Sequence, residues 1–137
     1  IRSSWVYGNG DNFVNRVLKA AEKRDPFAVP AGEIGAPTSA KDLARIILHL
    51  IETNEYGTYH VTCKGSCSRY ELAKEVLKLA GKTLQLTEAS SVALEQPAVR
   101  PAYAVLDNFI LRIIDVYDMP HWRDSLKEYI EERMARG

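Results

Sequence analysis

What most constrains this chain is the spacing of its apolar residues, which switches back and forth between two periods. Phe13, Val14, Val17, Leu18 and Ala21 recur at the helical interval, so residues 12–23 read as an amphipathic helix capped by Asp11 or Asn12. Leu43, Ile46, Ile47, Leu50 and Ile51 form a second stripe behind a Ser39 cap, with Asn54 and Gly57 ending that helix. Ser68-Arg69-Tyr70-Glu71 is a capping box ahead of a third stripe, Leu72, Ala73, Val76, Leu77 and Leu79. A fourth helix is expected over residues 122–134, with Leu126, Tyr129 and Ile130 on its apolar face. Between these lie short segments rich in β-branched and aromatic residues: 1–6, 27–29, 58–62 and 83–87. Strands separated by helices imply parallel pairing and an α/β layer structure. With so few and such short strands, the chain reads as the edge of a larger sheet.

The remaining segments are turns and loops. Residues 90–95 form a candidate helical turn, Pro97 and Pro101 bracket an extended loop holding Arg100, and Asp107-Asn108 precedes a short helix over 109–114. No apolar run approaches the ~20 residues that a membrane-crossing helix needs. Lys and Arg number 18 against 18 Asp and Glu, so no global charge draws the chain to nucleic acid or to an anionic membrane. Any anion must be held by a local site. Cys63 and Cys67 stand three residues apart without a second pair, and the three histidines are scattered. This pattern fits two reduced cysteines rather than a metal knuckle, and no metal ligands are assigned. The chain opens on Ile1 without a signal-like basic and apolar run, which suggests a processed or excised piece of a cytoplasmic protein.

Four ordered segments carry a resemblance. They are Arg2-Ser3-Ser4-Trp5-Val6-Tyr7-Gly8, Asn12-Phe13-Val14, Gly35-Ala36-Pro37-Thr38 followed by Asp42-Leu43-Ala44, and Arg100-Pro101-Ala102-Tyr103 followed by Leu106-Asp107-Asn108. In this order and spacing they resemble the C-terminal half of the dTDP-4-dehydrorhamnose reductases, within the extended short-chain dehydrogenase/reductase superfamily. Gly57-Thr58-Tyr59-His60, the segment 66–71 and Pro120-His121-Trp122-Arg123-Asp124-Ser125-Leu126 also fit.

The resemblance implies that residues 1–137 are a substrate-binding domain, with residues 1–6 the last part of a Rossmann sheet built mainly by an absent N-terminal domain. It implies NADPH bound mainly by that domain, a dTDP-sugar substrate, Mg2+ as a candidate metal and a homodimer as a candidate assembly. The catalytic Tyr-x-x-x-Lys pair would also lie upstream, so no catalytic residue is assigned here and the isolated chain should be inactive. Tyr70 and Lys74 match that spacing, but they sit in the capping-box helix with no glycine-rich loop before them, and a Tyr and Lys one turn apart arise often by chance.

The residues assigned to the substrate follow from the same resemblance. Trp5 would lie beside the deoxysugar, its indole forming a wall for the apolar sugar face. Asn12 and Phe13 would stand near the nucleotide at a helix start, where free amides suit phosphate. Arg100 would clamp the diphosphate with a guanidinium fork. Glu33 departs from the Gln common in relatives; a carboxylate only accepts, so it would either point away or bind a sugar hydroxyl or a base N–H. The backbone of Ser3 and Ser4 would approach the nicotinamide. The reading requires Trp5 and Arg100 to meet at one crevice. Its alternatives are a non-catalytic homologue like the regulatory β subunit of methionine adenosyltransferase, and another nucleotide-sugar epimerase or dehydratase.

Overall fold

The computed structural model describes residues 1–90, 100–116 and 118–136. The expected turn over 90–95, apart from Ser90, and Pro97 lie outside the described residues. The elements follow in the order β1 (Val6–Tyr7), α1 (Phe13–Lys23), β2 (Phe27–Pro30), β3 (Ile34–Gly35), β4 (Thr38–Ser39), α2 (Ala40–Ile51), β5 (Cys67–Ser68), α3 (Arg69–Leu79), β6 (Leu86–Ala89), β7 (Tyr103–Ala104), α4 (Phe109–Ile113) and α5 (Trp122–Arg136). The α/β class expected from the apolar spacing holds.

The described strands pair in three small sheets. β1 runs parallel to β4 and β2 parallel to β6, while β3 sits between antiparallel β5 and parallel β7. The antiparallel β3–β5 pair was not expected, because residues 67–68 read from sequence as the entry to a helix. They do both: Cys67 pairs with Gly35, and Ser68 caps α3. The segments expected as strands over 1–6 and 58–62 pair only as the isolated parallel bridge of Arg2 with His60, beside which the Ser3 hydroxyl donates to the Val61 carbonyl. A positive φ at Trp5 (44°) breaks the first segment, since a left-handed residue cannot continue a strand.

The helices arise where their caps predict. Asn12 accepts from the Asn15 amide at the start of α1, Ser39 accepts from the Lys41 amide at the start of α2, and the Ser68–Glu71 box is closed in both directions. Asn108, expected to cap α4, makes no such bond. Its amide is turned to Thr62, accepting from the Thr62 N–H and donating to the Thr62 carbonyl, because that buried backbone has no neighbouring strand to satisfy it.

The core gathers Val14, Val17, Leu18, Val29, Ile46, Leu72, Val76, Leu111, Met119, Trp122, Leu126 and Ile130 between the inner faces of α1, α3 and α5 and the small sheets. At ~25 cal/mol per Å2 of apolar area, each of the large side chains contributes ~1.5–3 kcal/mol. The stripe of α2 departs from expectation at one residue: Ile46 and Leu50 are buried, but Ile51 is 70% exposed. Ile110, Ile113 and Phe109 on α4 are also exposed.

Candidate functional site

At one edge of this frame, four elements bring their polar and aromatic groups together. Glu33 immediately precedes β3, and Gly35 is that strand's last residue. Both are buried. Gly35 lies directly against the indole of Trp5: a Cβ there would stand 2.3 Å from Cε2 of the ring. No side chain larger than hydrogen fits, so the glycine makes the indole's seat. The strained backbone of Trp5 turns the ring onto that seat. A strained residue at a strand end facing polar groups is the kind of feature that functional sites retain.

Arg69, the first residue of α3, reaches into the same place. Its guanidinium carbon lies 3.7 Å from the centre of the Trp5 ring and 4.9 Å from that of Phe13. Its Nε donates to Glu33 Oε2 at 3.2 Å, forming an ion pair whose side chains are both more than nine-tenths buried. Glu33 Oε1 is buried without a hydrogen-bond partner among the described residues. Burial pushes the Arg69 pKa down; the hydrogen bond and charge of Glu33 oppose this, and the positive charges of Arg100 and Arg16 add to the fall. Arg69 thus feels two further positive charges beside the one carboxylate it pairs with. The local excess of positive charge is the kind that a doubly charged anion would neutralise.

The residues expected at the site fall into groups. Trp5, Phe13, Glu33 and Arg100 belong to this cluster, Arg100 through its electrostatic effect on Arg69. Phe13 also packs edge-to-face on Phe27, with ring centres 5.9 Å apart. Asn12 is committed locally: its oxygen caps α1 and its amide donates to the carbonyls of Gly8 and Gly10. The Ser3 hydroxyl donates to the Val61 carbonyl at 2.7 Å, whereas the Ser4 hydroxyl is buried without a partner. Lys74 lies over Tyr70, its ammonium 5.7 Å from the ring centre, and Tyr70 itself packs against the core.

Two members were missed from sequence. Arg69 was read only as part of a capping box. A signal was available, because a cation in the first turn opposes the helix dipole and so calls for a partner elsewhere. Arg16 stands three residues after Phe13 and so shares its helix face. Cys63 and Cys67 are free and buried, as the sequence suggested. Among the described residues no group of three or more His, Cys, Asp and Glu side chains could hold a metal, and no helix is long and apolar enough to cross a membrane.

Such a frame, with aromatic rings and an arginine–carboxylate pair gathered at the margin of a small mixed sheet, is that of an α/β domain with a polar cluster at its edge. Comparison with known proteins places it in a family. Residues 1–135 match the family described as RmlD substrate binding domain, and the chain belongs to that family. It is 37% identical over 136 residues to the spore coat polysaccharide biosynthesis protein SpsK of Bacillus subtilis, covering 98% of this chain and 47% of that one. It is 33% identical to the dTDP-4-dehydrorhamnose reductase of Streptomyces griseus, covering 93% of this chain and 44% of that enzyme. Two solved structures superpose well. A dTDP-4-dehydrorhamnose reductase from Clostridium acetobutylicum gives a TM-score of 0.91 at 39% identity, over 97% of this chain and 48% of that one. The corresponding reductase of Bacillus anthracis, in complex with NADP, gives 0.88 at 36% identity, over 96% of this chain and 46% of that one. The chain thus spans about half the length of the relatives it matches.

Proposed function

We propose that this chain is the substrate-binding part of an NADPH-dependent reductase that converts dTDP-6-deoxy-L-lyxo-4-hexulose to dTDP-L-rhamnose. The observation that supports the reading is the buried Arg69–Glu33 pair set against Trp5 and Phe13, with the charges of Arg100 and Arg16 felt at Arg69. A nucleotide sugar carries the complementary features: a diphosphate and flat or apolar ring faces. In this reading the arginines hold the diphosphate, and the aromatic side chains confine the rings that flank it. Holding the ligand at its phosphates fixes the position of the ketone and removes orientational freedom before reaction.

NADPH, when bound, supplies the hydride, and its partner residues belong mainly to the half of the relatives that this chain does not span. In this reading the backbone of Ser3 and Ser4 approaches the nicotinamide; their hydroxyls face inward, that of Ser3 donating to the Val61 carbonyl and that of Ser4 buried. No acid or base for the ketone is assigned to this chain. The described residues offer Mg2+ no cluster of ligands, so they do not fit a metal of their own. A cytoplasmic location and a homodimer complete the proposal; biosynthesis from a soluble nucleotide sugar suits the first.

The test is turnover and binding in the full-length protein. The expected result is oxidation of NADPH that depends on the dTDP-4-keto sugar, with dTDP-L-rhamnose bound more tightly than UDP or GDP sugars. Preference for a UDP or GDP sugar, or binding without any NADPH oxidation, would overturn it.

A further inference from the structure

The indole of Trp5 is covered on both sides. A Cβ on Gly35 would stand 2.3 Å from Cε2, and 2.6 and 2.7 Å from Cδ2 and Nε1, two of the atoms bonded to it. Those distances put the glycine backbone over the flat of the ring and not at its rim. The Arg69 guanidinium carbon is 3.7 Å from the ring centre, a stacking distance. Cε2 belongs to the bond that the two fused rings share, so both contacts fall over the middle of the indole and cannot occupy one side of it. Gly35 and Arg69 therefore take opposite faces. Trp5 is nonetheless partly exposed. What stays open is its rim, and the N–H there donates to no described residue.

The guanidinium is not free to make way for a ligand. Its Nε is bonded to Glu33 Oε2 at 3.2 Å, both side chains are more than nine-tenths buried, and the centre of the Phe13 ring lies 4.9 Å from its carbon. Lifting it off Trp5 would strand the Glu33 charge in the interior, a larger loss than one sugar–indole contact returns. The stack also accounts for the backbone of Trp5. A left-handed φ of 44° is disfavoured for so bulky a residue and persists only where the surroundings over-determine it. We infer that Arg69 is a positioning residue that locks Trp5 against Gly35, so that the ligand's sugar meets the rim of the indole, where Nε1–H donates to a hydroxyl, and does not stack on its face. The inference rests on the nucleotide-sugar reading. It changes the part expected of Trp5 from an apolar wall to a directional donor, aimed by Arg69. A wall accepts any sugar with an apolar face, whereas a fixed N–H requires an acceptor at one place.

The experiment follows two side-chain signals of the isotope-labelled full-length protein by NMR, the Trp5 Nε1–H and the Arg69 Nε–H, while dTDP or dTDP-L-rhamnose is added. The expected result is that dTDP-L-rhamnose moves the Trp5 signal and dTDP does not. The Arg69 signal keeps its place with both, because the guanidinium stays on Glu33 and on the ring. Calorimetric titration then compares variants. Trp5→Phe keeps a flat ring without the N–H, and its preference for dTDP-L-rhamnose over dTDP should drop ~2- to 10-fold, the range of one hydrogen bond. That preference should drop by the same factor in Arg69→Lys, which keeps the charge but not the planar stack, and no further in the double variant, as expected of residues that act as one. An Arg69 signal that leaves its place when the sugar binds, an undiminished preference in Trp5→Phe, or losses that multiply in the double variant overturn the inference. Wild-type protein in which neither ligand moves any signal overturns the nucleotide-sugar reading, and the inference with it. Where a variant does not fold, the wild-type spectra decide: a Trp5 signal that follows the sugar beside an unmoved Arg69 signal upholds the inference, and any other pattern refutes it.

Discussion

Two regions of this molecule bury a carboxylate, and they treat it differently. Near the start of α2, Asp42 Oδ2 accepts from the Ser125 hydroxyl at 2.7 Å, and Arg45 stands 3.7 Å from Oδ1. The Ser125 oxygen is in turn 3.4 Å from the Cys63 sulfur; since its own proton goes to Asp42, the thiol is the donor there. The buried hydroxyl and thiol of that network both find partners inside the protein. At the other edge, Glu33 has one oxygen paired and one idle, and the arginines around it outnumber it. The first arrangement ties helices α2 and α5 together. The second leaves hydrogen-bonding and charge unspent, which is what a binding site retains and a structural network does not.

The contrast can be broken most sharply at Arg69. Arg69→Ala leaves Glu33 buried without its partner, and the expected loss of stability is ~3–5 kcal/mol by denaturant titration. A loss below ~1 kcal/mol would mean that the pair is not buried as described. Arg100→Ala should do the reverse. The side chain is exposed, so stability should hold, while affinity for dTDP-L-rhamnose should fall by about tenfold or more, as for a lost charge-assisted bond.

At the satisfied end, Ser125→Ala should cost ~1–3 kcal/mol, because Asp42 Oδ2 loses its donor, and ligand affinity should not change. An affinity change there would erase the distinction between the two regions. Tyr129→Phe should cost about 1 kcal/mol: its hydroxyl donates to the Gly8 carbonyl at 2.7 Å and lies 2.9 Å from Asn15 Oδ1. The effect confined to alkaline pH is a slope in stability. Burial, with the nearby Glu71 charge, pushes the Cys67 thiol from 9.0 up to about 12. The unfolded chain releases that proton first, so stability should be intact below pH ~9 and fall toward pH ~12. Cys67→Ala should flatten that part of the profile.

Much of the frame was legible in the chain itself. The caps at Asn12, Ser39 and Ser68 each act locally, through bonds to amides two or three residues on, and local chemistry is what a sequence displays. The small sheets were not legible in the same way. Two-residue strands such as β3 and β5 are too short for any period to register, and their pairing depends on the fold that surrounds them. The exposed Ile51 shows the same limit from the other side. Its apolar spacing is helical, but spacing cannot tell which flank of the stripe meets the core. At the site, Trp5, Phe13, Glu33 and Arg100 came from resemblance. Arg69 escaped because its position already had an explanation as a helix start.

That double position has a consequence for how the ligand's grip could be tuned. Arg69 immediately follows Ser68, and the reciprocal bonds of Ser68 and Glu71 set the direction in which α3 sets out. The guanidinium inherits its aim from those two side chains, which are not part of the cluster around Trp5. A change at Ser68 or Glu71 would therefore read out first as a looser hold on phosphate, well before the helix itself gave way.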